Sequence, residues 1–364
     1  MNDLENKKIL FIYQPWIKNS DGLHTPIVEN LRKLKMKVDF LNLENPPKFD
    51  NQYLPDKLRN IFERKFRKNN HYILLAEKKH HNKFNLKKLK ELKKEKNYYD
   101  FVLIIKPEEY SDKFIKEAKS LGKVTAGYIW DGIRFFFLKS LYESRNSFDY
   151  LYSFDHNDIL KYKDLNLSFL SNFYFTEDDK NDFTEKQLEL FYVGSNGGRL
   201  ENQRRDLQIL KILKFFPNNT EIKLFLEKAH FLIETERVKH PQIEYITQYI
   251  SYHETMMKVK NAKIVLDIRK KHHIGLSFRF FECMYYEVKL ITDNETVKNY
   301  DFYRPENILI VDFDKIEDYQ EQIKHFISIP YQKLPPEIFE KYSIKNWVKN
   351  IFRIGDYQKI EYLG

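Results

Sequence analysis

Cysteine is almost missing from this sequence: Cys283 is the only one in 364 residues. A lone thiol excludes an intramolecular disulfide and any metal site built from a cysteine cluster. It falls inside a segment with helical spacing, where a buried, inert thiol is the expectation. Glycine is scarce as well, with ten in the whole chain. Neither G-x-G-x-x-G nor G-x-x-x-x-G-K-[ST] occurs, so the first strand's loop gives no support to a dinucleotide site and no P-loop is present. No apolar run reaches the roughly 20 residues that span a bilayer. Histidines pair up as His80-His81 and His272-His273, but adjacent side chains point apart and no H-E-x-x-H accompanies them, which disfavours a metal hydrolase. RNP, zinc-finger and helix-turn-helix signatures are missing too, which weighs against a nucleic-acid-binding protein.

What is present describes a globular protein. Hydrophobic residues make up 42% and aromatics 16%, and the length suffices for two domains with a core each. The net charge of +9 implies an acidic partner: nucleic acid, anionic lipid head groups or a phosphorylated small molecule. The opening MNDLENKKILFIYQ reads as a first strand rather than a cleaved leader, so a cytoplasmic protein is expected.

The first half alternates strands and helices. Lys8–Tyr13 (KILFIY) is a continuous apolar strand, followed by a loop through Gln14 and His24. Thr25-Pro26 predicts an N-cap with proline at the first helical position, and 36–43 predicts a second strand. Two basic helical stretches then form an insertion at about 50–97. The second, lysine-dense from 83 to 96 with Phe84, Leu89 and Leu92 as its sparse apolar side, reads as a solvated helix or as a docking face for an anionic membrane or phosphorylated acceptor. Regularity returns with FVLII at 101–105, a helix capped by Ser111 and stopped by Gly122, and a strand at 123–129 running into Trp130-Asp131-Gly132. Ligands of open parallel sheets lie beyond the carboxyl ends of the strands, which selects Asp131, His24, Gln14 and Lys106. Asp155 to Asp158 form a weaker candidate of the same kind.

A polar stretch at 176–186 marks the predicted boundary, with an amino-terminal domain at 1–180 and a second at 181–342. Strand 188–193 leads into Gly194-Ser195-Asn196-Gly197-Gly198-Arg199, a turn whose backbone amides and arginine suit an anion. Strands are predicted at 222–226, 243–246, 264–268, 288–292 and 308–311. A capping box, Ser251 to Glu254, opens one helix. The stretch 262–292 carries a basic loop, Arg269-Lys270-Lys271, then Gly275-Leu276-Ser277 with Ser277 as N-cap of a helix bearing Arg279 and Glu282. Strand, cationic loop, helix and strand give a βαβ unit where phosphate is favoured by free amides and the helix dipole. An amphipathic terminal helix is expected within 343–364. The fold class is therefore α/β, two tandem Rossmann-like doubly wound domains.

Several motifs carry a family resemblance. Phe191-Tyr192-Val193-Gly194-Ser195 with Arg199 is similar to the F-[IV]-G-S-x(n)-R opening of the donor domain in CgeB-like, group 1 glycosyltransferases. Gly275 to Glu282 (GLSFRFFE) resembles their G-L-x-x-R-x-[FY]-E motif, Lys289 to Asp293 follows it in order, and Trp130-Asp131 is loosely similar to a W-x-x-D stretch. The likeness spans about 188–312. It implies the GT-B architecture, two domains with a cleft between them and a C-terminal helix packing back towards the first. It also implies transfer of a sugar from a nucleotide-activated donor to a glycan or glycolipid hydroxyl, as in bacterial surface polysaccharide or lipopolysaccharide.

In that family reading Glu282 binds the ribose and the Gly275–Ser277 turn, Leu276 included, abuts the diphosphate. Arg199 and a cation from Arg269, Lys270 or Lys271 neutralise it, and the loop from Thr247 through Gln248 and Tyr249 holds the base. No metal cofactor and no nucleic-acid partner are expected; peripheral contact with an anionic membrane is. Retaining members with an E-x7-E pair need Glu at 274, where this chain has Ile274. That favours inversion with a base in the first domain, Asp131 first and His24 second. The alternatives are the same fold transferring Kdo from a CMP donor or glycerol phosphate, or a non-enzymatic basic nucleic-acid-binding protein.

Overall fold

The computed structural model describes residues 3–14, 22–43, 46–50, 53–67, 71–95, 97–134, 137–177, 185–197, 204–226, 237–270 and 273–363. They cluster into two compact units, one centred on His24–Leu170 and including Val348–Tyr357, the other centred on Ser171–Trp347. The division falls at Leu170, ahead of the polar stretch where the sequence suggested a boundary.

The first unit holds β1 (Lys8–Tyr13), α1 (His24–Lys33), β2 (Lys37–Asn42), α2 (Leu54–Phe66), α3 (Tyr72–Lys94), β3 (Tyr99–Ile105), α4 (Asp112–Lys119), β4 (Gly122–Ile129), α5 (Leu138–Ser144), β5 (Tyr150–Ser153), α6 (His156–Lys161) and β6 (Ser168–Phe169). Its sheet order is β2-β1-β3-β4-β5-β6, parallel throughout. Strands of such a sheet are covered on both faces, which is why KILFIY and FVLII are unbroken apolar runs. Leu10, Ile12, Val102, Ile104 and Ile129 share one fully buried cluster with Phe114 and Ile115 of α4.

The second unit holds β7 (Leu188–Ser195), α7 (Arg205–Leu213), β8 (Thr220–Phe225), β9 (Ile243–Ile246), α8 (Tyr252–Asn261), β10 (Ala262–Asp267), α9 (Phe278–Tyr285), β11 (Lys289–Thr292), β12 (Ile308–Ile310), α10 (Gln320–Ser328) and α11 (Pro336–Lys341). Its order, β12-β11-β10-β7-β8-β9, is the doubly wound one, with the chain reversing direction between β7 and β10. A last helix, α12 (Ile344–Phe352), carries Trp347 and Ile351, both fully buried. Within the first unit Phe352 stacks on Phe101 at 4.3 Å, and the Tyr152 hydroxyl donates to the Asn350 carbonyl at 3.3 Å.

Caps follow the sequence where a serine precedes the helix. Ser111, Ser251 and Ser277 each accept a main-chain N–H from their own helix. Four local expectations need correction. Helix α1 starts at His24, so Thr25 lies inside it. Gly194 and Ser195 are the last two residues of β7, so the strand takes up the first part of the expected turn. Helix α3 begins at Tyr72, well before Lys83, and is anchored as well as solvated: Leu89, Asn82 and Asn85 are buried. The Asn82 amide donates to the Glu109 carbonyl and its oxygen accepts Ser111 N–H at 2.6 Å, contacts that apolar spacing cannot forecast.

The fourth correction is Gly122. It opens β4 instead of ending α4, and a Cβ there would sit 2.7 Å from Val102 Cγ2 and 3.3 Å from the Tyr99 carbonyl oxygen. The glycine is thus demanded by close strand packing. Gly122→Ala should lower stability by about 1–3 kcal/mol, the usual range for overpacking. Urea unfolding measures this, and an unchanged midpoint would contradict the packing role.

Candidate active site

In the second unit the carboxyl ends of β7 and β10 meet where the strand order reverses, the position at which open α/β sheets bind ligands. Asp267 ends β10 and is held from two sides. Ser277 Oγ donates to its Oδ1 at 2.6 Å, and Thr292 Oγ1 donates to Oδ2 at 3.3 Å. The same Ser277 oxygen accepts Arg279 N–H as the N-cap of α9, so one hydroxyl ties β10 to the start of the helix. Burial pushes the Asp267 carboxyl above its ordinary range, while Ser277, Arg205 and Arg279 oppose that rise.

Arg205, at the start of α7, donates from Nη1 to Ser195 O at 3.0 Å and to Ser195 Oγ at 3.2 Å. Its charge also acts on Tyr192 and Asp267, so β7, α7 and β10 share one electrostatic cluster. One helical turn into α9, Arg279 Nη1 lies 2.7 Å from Glu282 Oε2, with both side chains largely buried. Burial drives the Glu282 carboxyl upward against the attraction of Arg279. Cys283 beside it is buried, its thiol pushed up by burial.

The loop after β10 is fixed by its neighbours. Asp293 accepts Arg269 N–H at 2.7 Å, and Thr296 Oγ1 and Asn294 Nδ2 donate to the Ile274 carbonyl at 2.8 and 3.1 Å. Arg269 Nε is buried and makes no hydrogen bond among the described residues, a donor suited to an anion. Lys270 is exposed. The side chain of Leu276 is buried and Asn172 Nδ2 donates to its carbonyl at 2.9 Å. At the ends of β8 and β9, Tyr249 stacks on Phe225 at 3.8 Å, half exposed, beside exposed Gln248.

Ser195, Ser277, Arg279 and Glu282 are thereby joined through Arg205 and Asp267, two residues the sequence reading passed over. The available signals were an arginine pair opening a helix, against the dipole's preference, and a carboxylate closing an apolar strand. Arg199 lies outside the described residues. Among those described, no group of three or more His, Cys, Asp or Glu is arranged to hold a metal ion. No helix among them is long and apolar enough to cross a membrane.

The first unit has its own polar cluster, at the carboxyl ends of β1, β3 and β4. Lys106 follows β3 in the left-handed backbone region, φ 55°, a strained setting for a lysine. Its buried Nζ lies 3.1 Å from Glu109 Oε1 and 3.2 Å from Asp131 Oδ2. Burial alone would lower the Lys106 pKa, but Glu109, Asp131 and Glu108 outweigh it and raise it. The neighbouring Glu108 is pushed up to about 8 by its own burial. Asp131 keeps about a third of its side chain exposed. His24 is packed between the rings of Tyr13 and Phe40, at 5.7 and 5.4 Å, in the aromatic cluster at the end of β1. Tyr13 also contacts Trp130 at 5.2 Å, and burial pushes its hydroxyl up to about 12. Gln14 Oε1 accepts from Asn85 Nδ2 at 2.9 Å, bringing α3 to the same end of the sheet.

No protein-family model and no curated protein matches this chain. Solved structures do. One is an α-glucosyltransferase in complex with UDP-glucose and DNA containing an abasic site, at 11% identity over 97% of this chain and 96% of that one, TM-score 0.54. Another is OtsA in its apo form, at 11% identity over 96% and 100%, TM-score 0.55. A Listeria monocytogenes structure named for UDP-N-acetylglucosamine 2-epimerase aligns at 11% identity over 98% and 99%, TM-score 0.51. Identity this low speaks for fold, and the fold is GT-B, two Rossmann-like α/β domains in tandem.

Asp158 steadies the turn after Asp131, accepting Ser153 Oγ at 2.8 Å and Ile133 N–H at 3.2 Å. Burial raises its pKa from 3.8 to about 6. A carboxyl that holds its proton more tightly when folded favours the fold at low pH, and this contribution is lost as pH rises through about 6. Asp158→Asn should therefore gain stability relative to wild type, by about 1–3 kcal/mol, between pH 4 and pH 7. Parallel melting curves across that range would refute the assignment.

Proposed function

We propose that this chain is a glycosyltransferase that moves a sugar from a nucleotide-activated donor to an acceptor hydroxyl. The observation that carries the reading is the cluster at the β7/β10 reversal, where Arg205, Ser277, Asp267 and the Arg279–Glu282 pair converge on the start of α9. The N-terminus of that helix, Arg269 and Arg205 supply positive charge for the donor diphosphate. The Phe225–Tyr249 stack offers a ring face for the base, and Glu282 is the proposed ribose partner. As the glycosidic bond to the diphosphate breaks, its electron pair leaves with the nucleotide, and fixed cations stabilise that charge without reorganisation. The reaction is accordingly proposed to run without a divalent metal.

Asp131 in the first unit is the proposed base, taking the acceptor proton as the new bond to the sugar forms. The nearby Lys106 ammonium keeps its carboxylate in one orientation. The acceptor is proposed to be a bacterial surface glycan or glycolipid, and the protein to work in the cytoplasm where activated donors are available. Similar folds in complexes with UDP-glucose or UDP-2-fluoro glucose support a uridine nucleotide as the first donor to try.

Melting the protein with UDP, GDP, CMP or ADP, metal-free, should show one nucleotide stabilising it, by about 2.7 kcal/mol at a hundredfold excess over Kd. Arg205→Met and Glu282→Gln should erase that gain. Asp131→Asn should keep the gain and lose about 10²–10⁴-fold in turnover, the range for a general base. Should all four nucleotides fail while RNA or DNA binds in a salt-sensitive way, the transferase reading gives way to a nucleic-acid-binding one.

A further inference from the structure

The helix α2 is inverted relative to an ordinary surface helix. Leu58, Ile61, Phe62 and Phe66 are 59, 52, 48 and 74% exposed, whereas Glu63 is the one buried side chain among those described in this helix. At 3.6 residues per turn these four apolar residues share one arc. Lys57 and Arg64 border it on one side and Arg59 on the other, with Lys65 inside it. Both acids face away from the arc. Asp56 accepts the Tyr72 hydroxyl of α3 at 2.7 Å, and Glu63 is paired with Arg67 at 3.1 Å. The rings of Phe62 and Phe66 lie 5.1 Å apart, giving a continuous aromatic ridge.

An exposed apolar ridge of this size on a soluble surface calls for an occupant. The charge arrangement selects one. Every acid is withdrawn and every border is cationic, which matches an apolar layer overlaid by negative head groups. Lysine stems such as that of Lys65 extend over apolar surface while the ammonium reaches outward. We propose that α2 docks this chain on an anionic lipid bilayer, its four apolar side chains entering the head-group boundary and its arginines and lysines meeting lipid phosphates. The lysine-dense α3 packs inward through Asn82, Asn85 and Leu89 and keeps its lysines from Lys83 onward exposed, but it lacks the exposed aromatic ridge that α2 carries.

Co-sedimentation of the full chain tests this, with vesicles of phosphatidylcholine alone or mixed with phosphatidylglycerol. The protein should pellet with the mixed vesicles, and less so as salt rises. Phe62→Glu combined with Phe66→Glu should weaken binding by at least about tenfold with no loss of melting temperature, because both rings are exposed. Equal binding by the double variant, or no binding to mixed vesicles, would overturn the proposal. So would a wild-type dimer that the double variant dissociates while neither binds lipid, which would assign the ridge to a second copy of the chain.

Discussion

The hydrogen bond from Ser277 to Asp267 governs the geometry of the second unit's site. Asp267 closes β10 and Ser277 caps α9, so this 2.6 Å contact sets where the helix begins relative to the sheet. Thr292 fixes the other carboxylate oxygen from β11, and Arg205 and Arg279 supply the charge that a partly buried carboxylate requires. The partners of Asp267 come from three elements: the start of α9, β11 and α7. Arg205 in turn grips Ser195 at the end of β7, and Arg279 grips Glu282 one turn along α9. A buried pair of this kind adds little to stability against apolar residues of equal size, and breaking it costs about 3–5 kcal/mol. Its worth lies in holding two charged side chains in one place.

Much of this was legible in the residues. Buried parallel strands have to be apolar along their whole length, so KILFIY, FVLII and the run ending at Ile268 declared themselves, and alternation with helices gave two doubly wound units. Serine caps could be read because the capping hydroxyl sits beside its own helix in the sequence. The site's wiring was less legible, because it depends on which strands become neighbours. Arg205 and Asp267 are far apart in the chain, and only the reversal between β7 and β10 brings them together. Gly122 was misread for a related reason: a glycine after a helical segment signals a stop, yet the demand here comes from Val102 on the adjacent strand.

The first unit shows the same dependence on strand order. Lys106, Glu109 and Asp131 lie after β3 and β4, adjacent strands of the sheet, while Tyr13 and Gln14 end β1 on the other side of β3. The lysine-dense helix that composition marks as solvated reaches this cluster through Asn85 and the Lys78 ammonium, which donates to the Glu108 carbonyl. Burial lowers the Lys78 pKa to about 8 and raises that of the neighbouring Glu108, so this end of the sheet disfavours charge of either sign. A helix with lysines on its outer side can still contribute buried polar groups to a site on its inner side.

Both units carry unfavourable terms at the ligand-binding end of the sheet, and each carries others at the amino end: Lys35 and Glu287 are also left-handed, and Lys289 is buried at the start of β11. In the first, a lysine in left-handed backbone and a buried glutamate whose pKa burial raises lie beyond the carboxyl end of β3, next to the reversal between β1 and β3. In the second, a carboxylate and an ion pair are withdrawn from water beside the reversal between β7 and β10. At the amino ends, Asp100 meets exposed Lys123 and the Lys8 amide, and the buried Lys289 ammonium donates to the main-chain carbonyls of Phe326 and Ile329. Strain and buried charge are retained where they serve a purpose that stability alone does not reward. What distinguishes the two clusters is that each gathers several charged groups from different elements at the ligand-binding end of its own sheet.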